Sequence, residues 1–262
     1  MTATADFSVF KTDFYKNFGL NLDNYKERQM ERRILQLLGK ENIESYSALI
    51  SKLKREPNFL SDFLCYLTIN TSEFFRDPRV YDYLRQQALY DLLDRHQKIN
   101  IWSMGCSRGE EPYTLAILLS ELNALNRAKI LASDFDDKAR AEAKKGYYSS
   151  YQLKNIPPEI LTTYFNQHNG GYQVKDKIKE AVNFEKHNFL ENIYQQLPQM
   201  HLVLCRNVFI YFKLEVQEWI IDQLSKIIAP DGYLIIGCSE FIGKPEQHNL
   251  IKVKPAIYQK AA

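Results

Sequence analysis

The chain has 262 residues, of which 45% are hydrophobic and 25% are charged, a composition typical of a globular protein with a sizeable core. Its formal net charge of +2 does not indicate a nucleic-acid-binding protein, and no apolar run is long enough to span a bilayer. The N-terminus has no signal-peptide pattern, and the four cysteines form neither a CxxC pair nor a metal-ligand spacing. We therefore expect a cytoplasmic protein with reduced thiols, no metal and no membrane insertion.

Residues 1–68 predict helices only, and we expect them to form a small all-helical N-terminal domain. Apolar residues recur at helical spacing and are bounded by capping or helix-breaking residues. The first predicted helix ends at Gly19. The second begins after Asp23 or Asn24, either of which could cap it, and stops at Gly39. The third spans roughly Tyr46–Arg55, and the fourth starts at Pro57.

The second of these helices is basic. Between Asn24 and Lys40 it has five Lys or Arg residues and two Glu residues, and five minus two gives a charge of +3. Glu and Arg side chains one turn apart form pairs on a solvated helix face, and on its own the pattern favours that interpretation over a binding surface. The positive residues nearest its start are Lys26, Arg28, Arg32 and Arg33.

A short polar and aromatic connector, residues 69–77, precedes a predicted helix from Pro78 to about Asp94. The apolar run that begins at Ile99 then predicts a buried strand. This strand ends at a turn of small residues, GCSRG at 105–109, and a helix follows. A buried strand, a glycine turn and a helix form the ligand crevice of open α/β sheets.

Glu110, Glu111 and Pro112 occupy the first turn of that helix, where a dinucleotide-binding fold would hold a pyrophosphate. Two carboxylates repel a diphosphate, and proline lacks an N–H donor. A ligand with a cationic or neutral polar end fits better, as S-adenosylmethionine does with its sulfonium, ammonium and ribose hydroxyls. Acidic residues are also common at the positive end of ordinary helices, so the turn alone leaves cofactor binding and a plain βα unit equally open.

A second strand, Lys129–Ser133, ends in Asp134, and a helix from Asp136 to Gly146 follows. An acidic residue at the end of the second strand is where a nucleoside ribose would be held by its hydroxyls. The alternative is that Asp134 caps the helix that comes after it.

The rest of the chain continues the alternation of strands and helices. Residues 147–165 are predicted to be helical in part, and the runs Tyr172–Val174 and Ala181–Phe184 predict a small inserted hairpin. Later patterns predict strands at His201–Cys205, at Tyr233–Cys238 and once between Leu250 and Gln259, with a helix from about Leu214 to Ile228. This order predicts a mainly parallel sheet with helices on both faces.

Several distinctive segments follow one another along nearly the whole chain. They are a helical N-terminal domain, INTSEFFRDP, SMGCSRGEEPYT, ASDFD, HNFL, CRNVFIYF and APDGYLIIGCSE. In this combination the chain resembles the chemotaxis receptor glutamate methyltransferases, the CheR family. The resemblance implies an S-adenosylmethionine-dependent methyltransferase. Its α/β fold would be a Rossmann-like, doubly wound sheet with a small all-helical N-terminal domain and an inserted β-hairpin subdomain.

The resemblance also implies domain boundaries and residue roles. A receptor-recognition domain would span 1–68, a connector lining the cofactor pocket 69–77, and a methyltransferase domain 78–262, with a small β-subdomain at about 165–186. Arg76 and Tyr211 are implied to face the methyl group and the incoming carboxylate as catalytic residues. The residues implied to bind the cofactor are Asn70, Ser72, Arg76, Glu111, Asp134, Asn188, Phe189, Arg206 and Asn207.

The implied reaction is γ-methyl ester formation on glutamate side chains of chemoreceptor cytoplasmic helices, with S-adenosylhomocysteine as the second product. Because such a partner is acidic, Lys26, Arg28, Arg32 and Arg33 become candidate receptor-binding residues. The predicted hairpin is short, which argues against tethering through a receptor C-terminal peptide. The alternative is a non-catalytic module of the same fold that binds S-adenosylmethionine or the receptor.

Overall fold

A computed structural model describes residues 3–68, 72–154 and 156–261 of the chain. Contacts within the chain divide it into two compact units. We call Met1–Ile69 with Ile210–Glu218 the helical unit, and Asn70–Phe209 with Trp219–Ala262 the sheet unit. In the described parts of the chain, no helix is both long and apolar enough to cross a membrane, and no cluster of three or more His, Cys, Asp or Glu side chains could hold a metal ion.

The N-terminal part of the helical unit consists of α1 (Ala3–Phe18), α2 (Glu27–Lys40), α3 (Tyr46–Arg55) and α4 (Pro57–Thr68). The helical period brings Phe7, Phe10 and Phe14 of α1 to one side, where all three are buried. The Phe14 ring lies 5.5 Å from that of Phe63 on α4, so aromatic contacts join the first and last of these helices. The predicted helical character of this segment is confirmed.

The start of α2 differs from the prediction. Asp23 and Asn24 do not cap it, because they lie in a 3₁₀ turn, Leu22–Asn24, that the side chain of Asn21 caps. The Asp23 carboxylate instead accepts a hydrogen bond from a lysine of α1 at 2.6 Å. α2 therefore begins only after Lys26, whose side chain makes no capping hydrogen bond.

The sheet unit begins with α5 (Pro78–Tyr83) and α6 (Leu89–Arg95), which a π-helical turn joins. The next elements are β1 (Ile99–Met104), α7 (Glu110–Glu121), β2 (Ala128–Asp134) and α8 (Asp137–Lys145). They are followed by β3 (Tyr147–Ser149), α9 (Pro158–Tyr164), β4 (Phe165–His168), β5 (Gly171–Val174), α10 (Asp176–Lys179) and β6 (Val182–Lys186). The last are β7 (Met200–Cys205), α11 (Leu214–Ile227), which starts in the helical unit, β8 (Ile228–Ile236), β9 (Leu250–Lys254) and β10 (Ile257–Lys260).

Seven strands form one mixed sheet in the order β6-β2-β1-β7-β8-β10-β9. The first five are parallel to one another, and β10 is antiparallel to both of its neighbours. The chain enters at the centre with β1, moves outward to β2 and β6, and returns on the other side with β7. The strand order therefore reverses between β1 and β7, which is where open α/β sheets bind ligands. The predicted mainly parallel, doubly wound sheet is confirmed.

The two central strands are buried on both faces. In β1, Ile101, Trp102, Ser103 and Met104 have no measurable exposure, although neighbouring side chains of a strand point to opposite faces. A continuous buried run of this kind is typical of a parallel sheet whose two faces are both covered.

The prediction that Tyr172–Val174 and Ala181–Phe184 pair with each other in a hairpin is wrong. β5 pairs with β4 and β3 in a separate three-stranded antiparallel sheet, whose β4–β5 turn contains Asn169 and Gly170 at positive φ. β6 instead lies parallel to β2 at the edge of the large sheet. Val182 and Phe184 of β6 are both buried, so the alternating pattern that suggested a hairpin reflects burial against the main core.

Two further segments differ from expectation. Tyr147–Ser149, predicted as part of a helical region, forms β3 because it pairs with β5. The tail contains two antiparallel strands, β9 and β10, where a single strand was predicted. β3 and the two tail strands are defined by pairing with other strands, which local periodicity does not predict.

Candidate functional site

The turn between β1 and α7 is held against the end of β2. The N–H groups of Gly105 and Cys106 both donate to the carbonyl oxygen of Ser133, at 2.8 and 3.0 Å. Gly105 has a φ of 75°, and a Cβ atom there would lie 2.7 Å from the Val208 side chain. Glycine is therefore required at 105 by both conformation and space, and the turn is brought close to the segment that follows β7.

Asp134 ends β2 directly beside this turn and is buried. Its Oδ2 accepts a hydrogen bond from the Ser107 N–H at 2.8 Å, and its Oδ1 accepts one from the Asp136 N–H at 2.9 Å. Asp136, and not Asp134, caps α8, because its side chain accepts from the N–H groups of Lys138 and Ala139. The capping alternative for Asp134 is thus excluded. Burial raises the pKa of the Asp134 carboxyl, and the two backbone donors oppose that rise.

Glu111 is the second buried carboxylate of the site. Its Oε1 accepts from the Ser103 hydroxyl at 2.8 Å, and its Oε2 accepts from Arg206 Nη1 at 3.3 Å. Burial raises the pKa of the Glu111 carboxyl, while the positive charges of Arg206 and Arg76 act in the opposite direction. A carboxylate has about four acceptor positions, so both Glu111 and Asp134 keep acceptor capacity for a ligand beyond these two contacts each.

Arg206 follows β7 and connects several elements of the sheet unit. Its Nη1 also donates to the Tyr81 hydroxyl at 3.1 Å. Its Nη2 donates to the Arg76 carbonyl oxygen at 2.8 Å and to Asp77 Oδ2 at 2.6 Å. The Arg206 side chain is only 3% exposed. Both terminal nitrogens therefore bond to the protein itself, so Arg206 fixes the positions of its neighbours.

Arg76 belongs to the connector and has an unusual backbone environment. The residues on either side of it, Phe75 at φ 53° and Asp77 at φ 60°, are both left-handed without being glycine. Residues with a Cβ atom rarely adopt this backbone conformation, and when they do, the surrounding structure holds them there.

Asn188 and Phe189 lie in the segment after β6. The Phe189 ring is buried and meets the Trp102 ring of β1 at 69°, with the ring centres 6.3 Å apart. The Asn188 side chain is engaged locally, because its amide donates to Glu191 at 3.0 Å and its oxygen accepts from the Leu190 N–H at 3.2 Å. Phe189 thus lies beside the central strand, and its implied position at the adenine stays a prediction.

Asn207 also has a left-handed backbone, with φ at 58°. Its N–H donates to Glu240 Oε2 at 3.0 Å, and the same oxygen accepts from the Gly237 N–H at 2.7 Å. A Cβ at Gly237 would lie 2.8 Å from the Asn207 amide nitrogen. Glu240 therefore holds the ends of β7 and β8 together.

Glu110, next to Glu111, is only 1% exposed. Burial raises the pKa of its carboxyl, and a hydrogen bond with the Ser72 side chain opposes the rise. Among the described residues, Glu110 Oε2 and the hydroxyl oxygen of Ser107 are buried without a hydrogen-bond partner. Such atoms at the turn suit a ligand with polar or cationic groups. The predicted site residue Asn70 lies outside the described residues.

Cys205, the residue before Arg206, is buried in the sheet and is not accessible from a pocket. It is the last residue of β7 and has no exposed surface, and burial raises the pKa of its thiol well above the usual range. Cys205 is therefore part of the core of the sheet. Cys238 is the exposed cysteine of this region.

The remaining predicted residues belong to the helical unit. Lys26, Arg28 and Arg32 are exposed. Arg33 is half-buried, lies over the Tyr66 ring at 4.8 Å and donates to the Tyr66 carbonyl oxygen. Arg33 is therefore a packing residue rather than an exposed charge.

Tyr211 lies in the segment of the helical unit that pairs with the start of α2. The Lys26 N–H donates to the Tyr211 carbonyl oxygen at 2.9 Å, and the rings of Tyr25 and Phe212 lie 4.9 Å apart. A shallow surface depression is lined by Lys26, Gln29, Met30, Arg33, Leu67 and Tyr211. That Arg76 and Tyr211 both face the methyl group of the cofactor stays a prediction.

Sequence patterns singled out Glu110 beside Glu111 in the first turn of α7 but gave it no role of its own. They missed three other residues of this arrangement. Ser103, Asp77 and Glu240 had no local signal, since their partners lie on other elements. Contacts of this kind depend on which strand ends meet.

Comparison with known proteins identifies both parts of the chain. Residues 5–68 match the family model described as CheR methyltransferase, all-alpha domain, and residues 70–257 match CheR methyltransferase, SAM binding domain. The chain is 32% identical over 256 residues to a chemotaxis protein methyltransferase of Listeria monocytogenes, covering 97% of each chain. It is 32% identical over 258 residues to one of Borreliella burgdorferi, covering 94% of this chain and 90% of that one. It is 30% identical over 271 residues to chemotaxis protein methyltransferase 1 of Pseudomonas aeruginosa, covering 99% and 98%.

Proposed function

The chain belongs to the CheR methyltransferase family, and we propose that it methylates glutamate side chains on the cytoplasmic helices of chemoreceptors, forming γ-methyl esters during adaptation. Its cofactor is S-adenosylmethionine, and we place the reaction in the cytoplasm. The observation that carries the proposal is the pair of buried carboxylates, Glu111 in the first turn of the helix that follows β1 and Asp134 at the end of the adjacent parallel strand β2. Negative charge at this edge suits a cofactor whose methionine end is cationic and whose ribose donates hydrogen bonds.

The residues present fit this cofactor. Glu111 would accept hydrogen bonds from its ammonium group, and Asp134 from its ribose hydroxyls, since each carboxylate keeps acceptor positions beyond its protein contacts. Phe189 and Asn188 would border the adenine. Asn70, Ser72, Arg76, Arg206 and Asn207 would complete the pocket from the connector and from the end of β7.

S-adenosylmethionine supplies a methyl group on a positively charged sulfur. A glutamate with an ordinary pKa near ~4.3 is already ionised at neutral pH, so the acceptor needs no general base. Strong pairing of that carboxylate before transfer would slow the reaction, because only stabilisation that increases in the transition state raises the rate. We therefore assign to Arg76 and Tyr211 the orientation of the incoming carboxylate, with a gain that comes mostly from proximity.

Receptor docking is assigned to the start of α2. Lys26, Arg28 and Arg32 are exposed and positive, as a surface for an acidic helical partner requires. Charges at the rim of an interface mainly raise the association rate and make it depend on salt. Arg33 is assigned a packing role instead, because its side chain is engaged with Tyr66.

Transfer of tritiated methyl groups to isolated receptor cytoplasmic fragments tests the proposal. We expect incorporated label that base releases as methanol, because esters are base-labile and methylated amines are not. Label that resists base would contradict glutamate esterification. Cofactor binding without any transfer would favour the non-catalytic module.

A further inference from the structure

Asp77 occupies the residue before α5, where an aspartate ordinarily accepts a hydrogen bond from a first-turn N–H group. Its carboxylate makes no such bond. The Val80 N–H donates instead to the Asp77 carbonyl oxygen at 2.9 Å. The Asp77 carboxylate accepts from Arg206 Nη2 at 2.6 Å. The side chain therefore bonds to Arg206 and also accepts from the thiol of Cys238, which follows β8, but it does not bond to the helix.

The same Arg206 nitrogen also donates to the carbonyl oxygen of Arg76, at 2.8 Å. Arg206 is itself fixed, because its other terminal nitrogen bonds to the hydroxyl of Tyr81, which is buried on α5. The buried guanidinium of Arg206 thus contacts both the carbonyl oxygen of Arg76 and the carboxylate of Asp77, the next residue.

This contact explains how a strained backbone is maintained. Phe75 and Asp77 flank Arg76 in left-handed conformations, which residues with a Cβ keep only when their surroundings hold them. Arg206 is closer to Asp77, at 2.6 Å, than to Glu111, at 3.3 Å. Loss of the Asp77 charge would leave Glu111 as the carboxylate partner of Arg206 and draw the guanidinium away from the Arg76 carbonyl oxygen.

We propose that Asp77 is a positioning residue for methyl transfer, because with Arg206 it clamps the Phe75–Asp77 backbone and so sets the direction of the Arg76 side chain. The inference rests on the role proposed for Arg76. Asp77 itself touches neither the cofactor nor the acceptor carboxylate in this assignment. Its effect on the reaction passes through Arg76.

The test is Asp77→Asn, which keeps the size of the side chain and a residue type that tolerates a left-handed backbone. We expect kcat for receptor fragments to fall about tenfold, since a small misplacement of an orienting group is enough for such a loss. Affinity for S-adenosylhomocysteine, measured by calorimetry, should stay within about threefold of wild type. In the protein without cofactor, amides of residues 72–81 should exchange hydrogen faster than in wild type. Asp82→Asn, an exposed change on the same helix, should leave all three measurements at the wild-type level.

A double-mutant cycle separates positioning from general loss of structure. In an Arg76→Ala background, Asp77→Asn should produce no further fall in kcat, because the residue through which it acts is gone. A full additional tenfold loss in that background, unchanged exchange at 72–81, or a kcat within about twofold of wild type would each overturn the inference. If the wild-type chain does not methylate receptor fragments, the proposed function fails, whereas hydrogen exchange still decides whether Asp77 holds the connector.

Discussion

The helical unit and the sheet unit differ in how deeply they bury charged side chains. Among the described residues, the buried charged side chains all belong to the sheet unit: Glu110, Glu111, Asp134, Asp136, Arg140 and Arg206. In the helical unit, Lys11 pairs with Asp23 and Glu27 at 2.6 and 2.9 Å, and both acidic side chains are more than half exposed. The charges of α2 at Arg28 and Arg32 are also exposed.

This difference separates two kinds of electrostatic function. A buried charge destabilises the fold unless partners compensate it, so a cluster of such groups is a mark of a site that holds a ligand. Exposed charges contribute little to stability, but they change how fast a charged partner arrives. We therefore infer that the sheet unit holds the cofactor, whereas the helical unit carries the exposed charges proposed for receptor docking together with the proposed orienting residue Tyr211. The predictions below test that division.

The largest effect is expected for Arg206→Ala measured against Arg32→Ala. Removing Arg206 leaves Asp77 and Glu111 without their cationic partner, and breaking a buried pair in this way costs about 3 kcal/mol of unfolding free energy. Arg32 is exposed on α2, and its loss should change the unfolding free energy by less than about 0.5 kcal/mol. Urea denaturation without cofactor measures both. Equal stability losses would show that the two units do not differ in how they use charge.

Asp134→Ala is expected to weaken cofactor binding by roughly 1–3 kcal/mol, because ribose hydroxyls would lose their acceptor in a buried place. Asp176→Ala is the control, since Asp176 is an exposed acidic residue at the start of α10. Titration calorimetry with S-adenosylhomocysteine gives both affinities. Unchanged affinity in Asp134→Ala would remove Asp134 from the site.

Local sequence signals predicted much of the fold. Helix ends at Arg55, at Pro57 and at Gly146 depend on residues within one turn of the chain, and the structure places them as expected. The central strand and its glycine turn were equally readable, because burial on both faces gives a continuous apolar run. The start of α2 was placed too early, since two residues that could cap a helix lie in a 3₁₀ turn instead.

The other errors and omissions concern contacts between distant residues. β6 pairs with β2, about fifty positions earlier, and no local pattern distinguishes that from a hairpin with β5. The bond from Arg206 to Asp77 joins residues 129 positions apart. The resemblance indicated that Arg206 and Arg76 belong to one pocket, but the commitment of both terminal nitrogens of Arg206 to protein groups became visible only in three dimensions.

The recognition side of the comparison is tested by neutralising Arg28 and Arg32 together as Ala. We expect KM for receptor fragments to rise roughly three- to tenfold at low salt and its salt dependence to flatten, with cofactor affinity unchanged. The control is the pair Lys54→Ala and Arg55→Ala, which removes the same charge from exposed positions at the end of α3. Methyl-transfer assays at several salt concentrations compare the two. If both pairs behave alike, α2 offers only a solvated face and the unit's net charge is what matters.

The smallest effect is expected for Glu110, because it concerns the titration of a single buried carboxyl. Burial raises the pKa of Glu110, so the folded protein binds a proton there at a pH at which the unfolded chain, with a pKa near ~4.3, has released it. The favourable contribution of wild-type Glu110 is therefore fully present below the unfolded pKa and is lost as pH rises through the folded pKa. Relative to wild type, Glu110→Gln should gain unfolding free energy progressively as pH rises above the unfolded pKa. Because the other titrating groups are common to both proteins, the difference between the two urea curves isolates this one. Glu121→Gln, at the exposed end of the same helix, should give a difference that changes little with pH. A Glu110 difference as flat as that control would mean that the carboxyl at the start of α7 is effectively solvated, and the contrast between the two units would then rest on Glu111, Asp134 and Arg206.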